Sequence, residues 1–290
     1  MQHEQSISKS FSANAEKYLT SPVHLAGADL DFLARSVAAL DRPQVLDLGC
    51  GAGHASFAAA PFAREVIAFD LTRAMLEVTT AAAKERGLSN ISTTQGSVEE
   101  LPFHSQQFDF VVSRYSAHHW NNVPRALQEV KRVLKPAGQV CFIDLTGAPS
   151  PLLDTHLQSV ELARDPSHVR SYTKPEWISF FQAALFDAHI EQTWRLATEF
   201  SSWVSRIGTS AEGIAAIRSL WSSAPSEVRD YFKLQDDLSF EVDAAMILAH
   251  RDGLTLPAAE PKDQPPLRVA RESMWPPDPA GPSQAPRRPG

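Results

Sequence analysis

Residues 45–53 read Val-Leu-Asp-Leu-Gly-Cys-Gly-Ala-Gly, and no other stretch restricts the fold as strongly. Residues 45–48 form a short apolar strand. The glycines at 49, 51 and 53 then let the backbone turn sharply and approach a ligand with no Cβ in the way. A helix from about Ala52 follows, its free N–H groups aimed at whatever occupies the turn. A strand, a glycine turn and a helix in this order open a doubly wound α/β sheet.

The text to Leu145 continues the alternation. Residues 66–70, 91–95, 108–115 and 140–145 read as strands. Between them run helices at 72–86, with Thr72 as N-cap, and at 123–134, which Pro136 stops. Short apolar strands alternating with helices imply a parallel sheet with right-handed crossovers. Two later strand candidates, 188–196 and 240–248, bracket an amphipathic, aromatic insert. The expectation is a Rossmann-like, doubly wound, mostly parallel sheet of seven strands with a helical insert, or lid, at about 197–238. Residues 1–40 show helical spacing (Phe11, Ala15, Tyr18, Leu19, then Leu30, Leu33, Val37) broken at Pro22, and read as an N-terminal helical cap. The main domain spans 41–252. Residues 253–290 read as a Pro-rich disordered tail, for ten of the chain's 21 prolines lie beyond residue 254.

Composition narrows the function. With 27 basic and 34 acidic residues the formal charge is −7, which argues against a nucleic-acid partner. The two cysteines, Cys50 and Cys141, make neither a disulfide framework nor a zinc site. No apolar run approaches the roughly 18 residues of a membrane span, and the N-terminus lacks a signal-peptide pattern. The expectation is a cytoplasmic protein with no membrane partner and no metal. Nothing in the text fixes an oligomeric state.

The glycine spacing separates two ligand classes. Dinucleotide enzymes use G-x-G-x-x-G with a pyrophosphate on the helix N-terminus. Here the spacing is G-x-G-x-G, and His54 and Ser56 fill the third-glycine positions. Asp47, two residues before the first glycine, would repel a pyrophosphate but can hold an ammonium group directly or through water. The ligand therefore has an amino-acid end. Asp70 closes the second strand, where a ribose would sit, and a carboxylate there accepts from both the 2′- and 3′-hydroxyls. It reads alternatively as an acid at the start of the next helix.

These residues resemble the class I S-adenosylmethionine-dependent methyltransferases. D-L-G-C-G-A-G is similar to that family's first motif, F-D-L-T to its second and Q-G-S-V-E-E-L-P-F to its third. F-D-F-V-V-S-R-Y and E-V-K-R-V-L-K-P-A-G supply the fourth and fifth. The variant looks like the ubiquinone/menaquinone-methyltransferase-like branch, and S-R-Y-S-A-H-H-W and E-F-S-S-W-V-S-R-I resemble uncharacterised bacterial proteins of the YafE type. The resemblance implies S-adenosylmethionine as cofactor. Asp47, Gly49, Cys50, Gly51 and Gly53 would surround its methionine part, and Asp70 its ribose. Leu71 and Met75 would flank the adenine, with Ser97 and Val98 at its edge. Arg114 would lie below the methionine end, whose carboxylate Tyr18 would reach unless it serves as an apolar helix anchor.

Methyl transfer to a hydroxyl or an activated carbon also needs a base. Ser116-Ala-His118-His119-Trp120 follows the fourth strand and Asp144 ends the fifth, so His119 and Asp144 are expected to face each other across the pocket as base and orienting carboxylate. The histidines read otherwise as caps of their loop. His156, His168, Arg170 and Tyr172 form either a recognition loop or a solvated connector. The function expected is methyl transfer to a small-molecule acceptor. The alternatives are a nicotinamide-dependent oxidoreductase and a non-catalytic, cofactor-binding member of the fold.

Overall fold

The computed structural model describes residues 2–21, 25 and 27–251. Among the described residues, α1 (Gln2–Ser12), α2 (Ala15–Leu19) and α3 (Ala28–Ala38) precede the sheet. The central alternation is β1 (Gln44–Leu48), α4 (His54–Ala59), β2 (Glu65–Asp70), α5 (Arg73–Glu85), β3 (Ile91–Gln95) and β4 (Phe108–Arg114). A single 3₁₀ turn at Ala117–His119 leads to α6 (Val123–Val133) and β5 (Leu134–Leu145). After α7 (Pro151–Arg164), α8 (Lys174–Ala183) and β6 (Phe186–Thr198) come the insert helices α9 (Phe200–Ile207), α10 (Ala211–Ser222) and α11 (Ser226–Tyr231), and then β7 (Phe240–Arg251).

The seven strands run in the order β3-β2-β1-β4-β5-β7-β6. The first five are parallel, and β7 is antiparallel to both β5 and β6. The strand order reverses between β1 and β4, so a crevice opens above their carboxyl ends, where ligands bind in this architecture. The seven-stranded, mostly parallel sheet with a helical insert stands as the sequence implies.

Helices cover both faces of the sheet, and side-chain alternation divides each strand between them. Leu46, Leu48, Val111, Val140 and Phe142 pack under α6 and α8. Val45, Phe110, Val112, Cys141 and Ile143 pack under α3 and α4, against Leu33, Val37 and Ala59. The insert holds a third core, in which Trp203, Trp221, Phe232 and Phe240 pack on Leu157 and Val160 of α7.

Three boundaries differ from the sequence reading. The helix after the glycine turn starts at His54 rather than Ala52, because Gly53 sits in the left-handed region at φ 89°. The fifth strand begins at Leu134, not at residue 140. Phe108 pairs with Leu134 and Phe110 with Gln139, so Pro136 lies in a bulge where no ladder N–H is required of it. The late strands run longer than expected, the first beyond both ends as Phe186–Thr198 and the second beyond its C-terminal end as Phe240–Arg251. The proline-rich tail lies outside the described residues, among which no helix is long and apolar enough to cross a membrane.

Candidate active site

The glycine loop is held from behind by backbone. The N–H groups of Gly49 and Cys50 both donate to the Phe69 carbonyl, at 2.8 and 3.0 Å. Gly51 N donates to Asp70 Oδ2 at 2.9 Å, and Thr79 Oγ1 donates to Gly51 O at 2.9 Å. Gly51 has φ 51°, and a Cβ there would meet nothing within 4 Å. The loop therefore presents bare backbone to open space.

That space is a cavity of about 390 Å³ over the carboxyl ends of β1, β2 and β4, within the roughly 300–1,000 Å³ typical of cofactor sites. Its floor is Gly49, Cys50 and Gly51. One side is Asp70, Leu71 and Met75, continued by Ser97 and Val98. The other side is Arg114, Tyr115 and His119. Helix α1 roofs it with His3, Glu4, Ile7 and Phe11, and Tyr18 adds to that wall. Eleven of the fourteen residues singled out from sequence thus line one cavity. Asp47, Gly53 and Asp144 do not.

Asp70 is nearly buried and uses one oxygen on Gly51 N and the other on Thr72 N, at 2.8 Å. Burial raises its pKa, against the pull of those N–H groups. Arg114 donates from Nε to Asp29 Oδ2 of α3 at 2.6 Å, with both side chains buried. Burial raises the pKa of the Tyr18 phenol, and Arg164, which hydrogen-bonds it, opposes that rise.

Asp47 corrects the expectation of direct contact with the ligand. It shares the β1 face of Val45, so its side chain points under α4, and Oδ2 accepts from Ser56 Oγ at 2.6 Å. Oδ1 is buried with no partner. Burial pushes the pKa up to about 6, and the Asp70 charge adds to the effect. Gly53 serves the turn into α4 and does not reach the cavity.

The histidine pair brings a second correction: Asp144 meets His118, not His119. The two rings lie 4.2 Å apart, centroid to centroid, yet take different partners. His118 Nδ1 lies 2.6 Å from Asp144 Oδ1, and its backbone N donates to Oδ2 at 3.2 Å. Burial pushes the His118 pKa down, but the charge and hydrogen bond of Asp144 outweigh it, and the net shift is upward. His119 Nδ1 lies 3.1 Å from the Ser167 carbonyl and 4.0 Å from Asp165 Oδ2. A carbonyl accepts only, so Nδ1 carries the proton and Nε2 the lone pair. Burial, reinforced by the His118 charge, pushes the His119 pKa down to about 3, so its ring is neutral at physiological pH.

A smaller chamber of about 80 Å³ adjoins the cavity, and Phe11, Tyr18, Tyr115 and His119 line both. His118, Glu161 and Arg164, with Trp203 and Arg206 of α9, also line it. Among the described residues, no cluster of His, Cys, Asp or Glu has the makings of a metal site. Sequence reasoning expected an N-terminal helical cap but not which α1 residues line the cavity, and it missed Glu99, which also lines the cavity, and the arginines of the chamber. Of these only α1 carried a signal, its helical spacing, and that spacing does not say which face meets a ligand. His168 and Arg170 belong to the support around the site: His168 Nε2 lies 2.9 Å from Gln158 Oε1, and Arg170 donates to Asp154 at 2.9 Å.

Residues 46–142 match a family described as "Methyltransferase domain". YafE of Escherichia coli, described as uncharacterized, is 45% identical over 203 residues, covering 70% of this chain and 98% of that protein. The crystal structure of YcgJ from Bacillus subtilis superposes with a TM-score of 0.74 at 35% identity, covering 78% of this chain and 99% of that one. By sequence YcgJ is described as an uncharacterized methyltransferase. A demethylmenaquinone methyltransferase of Lactococcus lactis is 35% identical over 122 residues, covering 41% of this chain and 47% of that enzyme. Fold, motifs and relatives agree, and the chain belongs to the class I S-adenosylmethionine-dependent methyltransferases.

Proposed function

We propose that the chain methylates an oxygen or carbon of a small-molecule acceptor, with S-adenosylmethionine in the larger cavity and the acceptor in the smaller chamber. The observation that carries this reading is the wall the two spaces share, formed by Phe11, Tyr18, Tyr115 and His119. The demethylmenaquinone enzyme acts, by its name, on a small molecule, which supports an acceptor of that kind.

The residues around the cavity fit the methyl donor. Bare backbone at Gly51 leaves room for the methionine end beside Gly49 and Cys50, with Arg114 and Tyr18 across from it. Each oxygen of Asp70 keeps a lone pair for the ribose hydroxyls after its N–H bond is counted. Leu71, Met75 and Val98 give apolar walls for an adenine ring, and Ser97 a polar edge. The Asp47 carboxylate behind the loop, whose Oδ1 has no partner, favours a cationic ligand over a pyrophosphate.

The donor, when bound, supplies a methyl group already activated by the sulfonium charge. Alignment then contributes most of the rate gain. Nε2 of neutral His119 accepts a hydrogen bond from the acceptor and so orients it. With a pKa near 3, His119 is a poor resting place for a proton. His118, raised by Asp144 and facing the chamber, takes the proton that the acceptor loses. An intact proton-accepting pair beside the chamber argues against a non-catalytic role.

Release of S-adenosylhomocysteine, followed across a panel of small metabolites, tests the reading. With an acceptor in hand, His118→Gln is expected to lower turnover by roughly a hundredfold or more while cofactor affinity holds. Unchanged turnover would remove His118 as the proton acceptor.

A further inference from the structure

The smaller chamber ends on an arginine with donors to spare. Arg206, on α9, donates from Nη1 to Ser21 Oγ at 3.0 Å. Its Nε is buried without a partner, and the side chain makes no ion pair among the described residues. The neighbouring arginine differs. Arg164 donates from Nε to the Trp203 carbonyl at 3.1 Å, lies 3.6 Å from Glu161 Oε2, and stacks 5.1 Å from the Trp203 ring centroid. Arg164 is satisfied by the protein; Arg206 is not.

Arg206 lines the chamber and spends one of its donors on Ser21. A guanidinium with donors to spare binds a carboxylate through charge-assisted hydrogen bonds. We infer that the smaller chamber recognises a methyl acceptor carrying a carboxylate, which docks on Arg206 while the atom to be methylated stays at the histidine end. This rests on the assignment of the chamber to the acceptor.

Two features select a singly charged anion. Glu161 pairs with Arg164 at 3.6 Å, whereas Arg206 makes no ion pair among the described residues. Glu199 also lines the chamber, and its carboxylate caps α9 by accepting from Ser201 N and Ser202 N at 2.8 and 2.7 Å. Its negative charge in the chamber wall opposes a phosphate dianion more than a carboxylate monoanion. The methionine carboxylate of the donor is not the target, because Arg206 lines only the smaller chamber whereas Arg114 lines the larger one.

Ligand-observed NMR titrations with benzoate, benzamide and phenyl phosphate test the proposal on the full chain, both loaded with S-adenosylhomocysteine and unloaded. Benzoate is expected to bind at least about tenfold more tightly than its neutral isostere and than phenyl phosphate. Arg206→Gln is expected to weaken benzoate by at least about tenfold while S-adenosylhomocysteine affinity stays within about twofold. Equal affinity for benzoate and benzamide, no binding of benzoate, or a parallel loss of S-adenosylhomocysteine binding in Arg206→Gln would each overturn it. The wild-type comparison of benzoate with benzamide decides the matter even if the variant does not fold. A wild-type chain that binds benzoate but not S-adenosylhomocysteine contradicts the cofactor assignment and leaves the anion site standing.

Discussion

Asp47 shows what a single buried carboxylate does in this fold. Its pKa in the native state is about 6 against an ordinary 3.8, so the folded chain binds the proton more readily than the unfolded one. The linked stability is complete below about pH 4 and is lost as pH rises through about 6, a difference of about 3 kcal/mol from a shift of this size. Asp47→Asn, which keeps the Ser56 contact, should therefore melt higher than wild type at pH 8 and equally at pH 4. It should also bind S-adenosylmethionine more weakly, since a negative charge behind the loop is lost. A variant no more stable at pH 8 would mean that the charge is relieved some other way. His118 invites the complementary experiment. An NMR titration of its ring should give a pKa above 6.5 that falls in Asp144→Asn; an unmoved value would separate the two residues. The identity of the site residues was legible because glycines, Asp70 and the histidines follow strand ends, where the architecture puts ligands. The direction of each side chain was less so. Asp47 was expected at the ligand and points under α4, and Asp144 was expected on His119 and meets His118, because strand alternation and one 3₁₀ turn decide those contacts.

At the scale of elements, α1 is the piece held least firmly. None of its residues is buried. It is tied by His3 Nε2, 3.0 Å from the His119 carbonyl, by Ser10 Oγ donating to Asp165 Oδ1 at 3.2 Å, and by Phe11 set edge-on 5.0 Å from the His119 ring. Such a segment opens before the core does. Within residues 2–251, limited proteolysis should cut first in α1, and S-adenosylhomocysteine should slow that cut severalfold; equal rates with and without ligand would take α1 out of the roof. The helix itself was readable from its spacing. Its docking was not, because His3 and Ser10 meet residues 116 and 155 positions away. The insert was readable in the same sense: its aromatics announced a packed unit, and Trp221 is wholly buried. Trp221→Ala should cost about 3–5 kcal/mol in urea unfolding, and a loss under about 1 kcal/mol would place that ring outside a packed core.

For the molecule as a whole, the sheet order was the most legible property, since alternating short strands and helices leave few topologies once crossovers are right-handed. The break in strand order between β1 and β4 puts the glycine loop, the end of β2 and the histidine turn around one crevice. Family membership leaves no place for the nicotinamide-dependent reading, and the glycine spacing had already counted against it. The acceptor was illegible because the smaller chamber proposed for it is built by residues far apart in the chain, Tyr18, Glu161 and Arg206 among them. The central claim is that the larger cavity is the seat of the methyl donor, with Asp70 on its ribose. Isothermal titration calorimetry of the full chain with S-adenosylhomocysteine tests it most directly. The account predicts saturable one-site binding that weakens roughly ten- to hundredfold in Asp70→Asn, the equivalent of about 1.5–3 kcal/mol for a charged hydrogen bond. No heat of binding to the wild-type chain, or equal affinity in the two proteins, would contradict it.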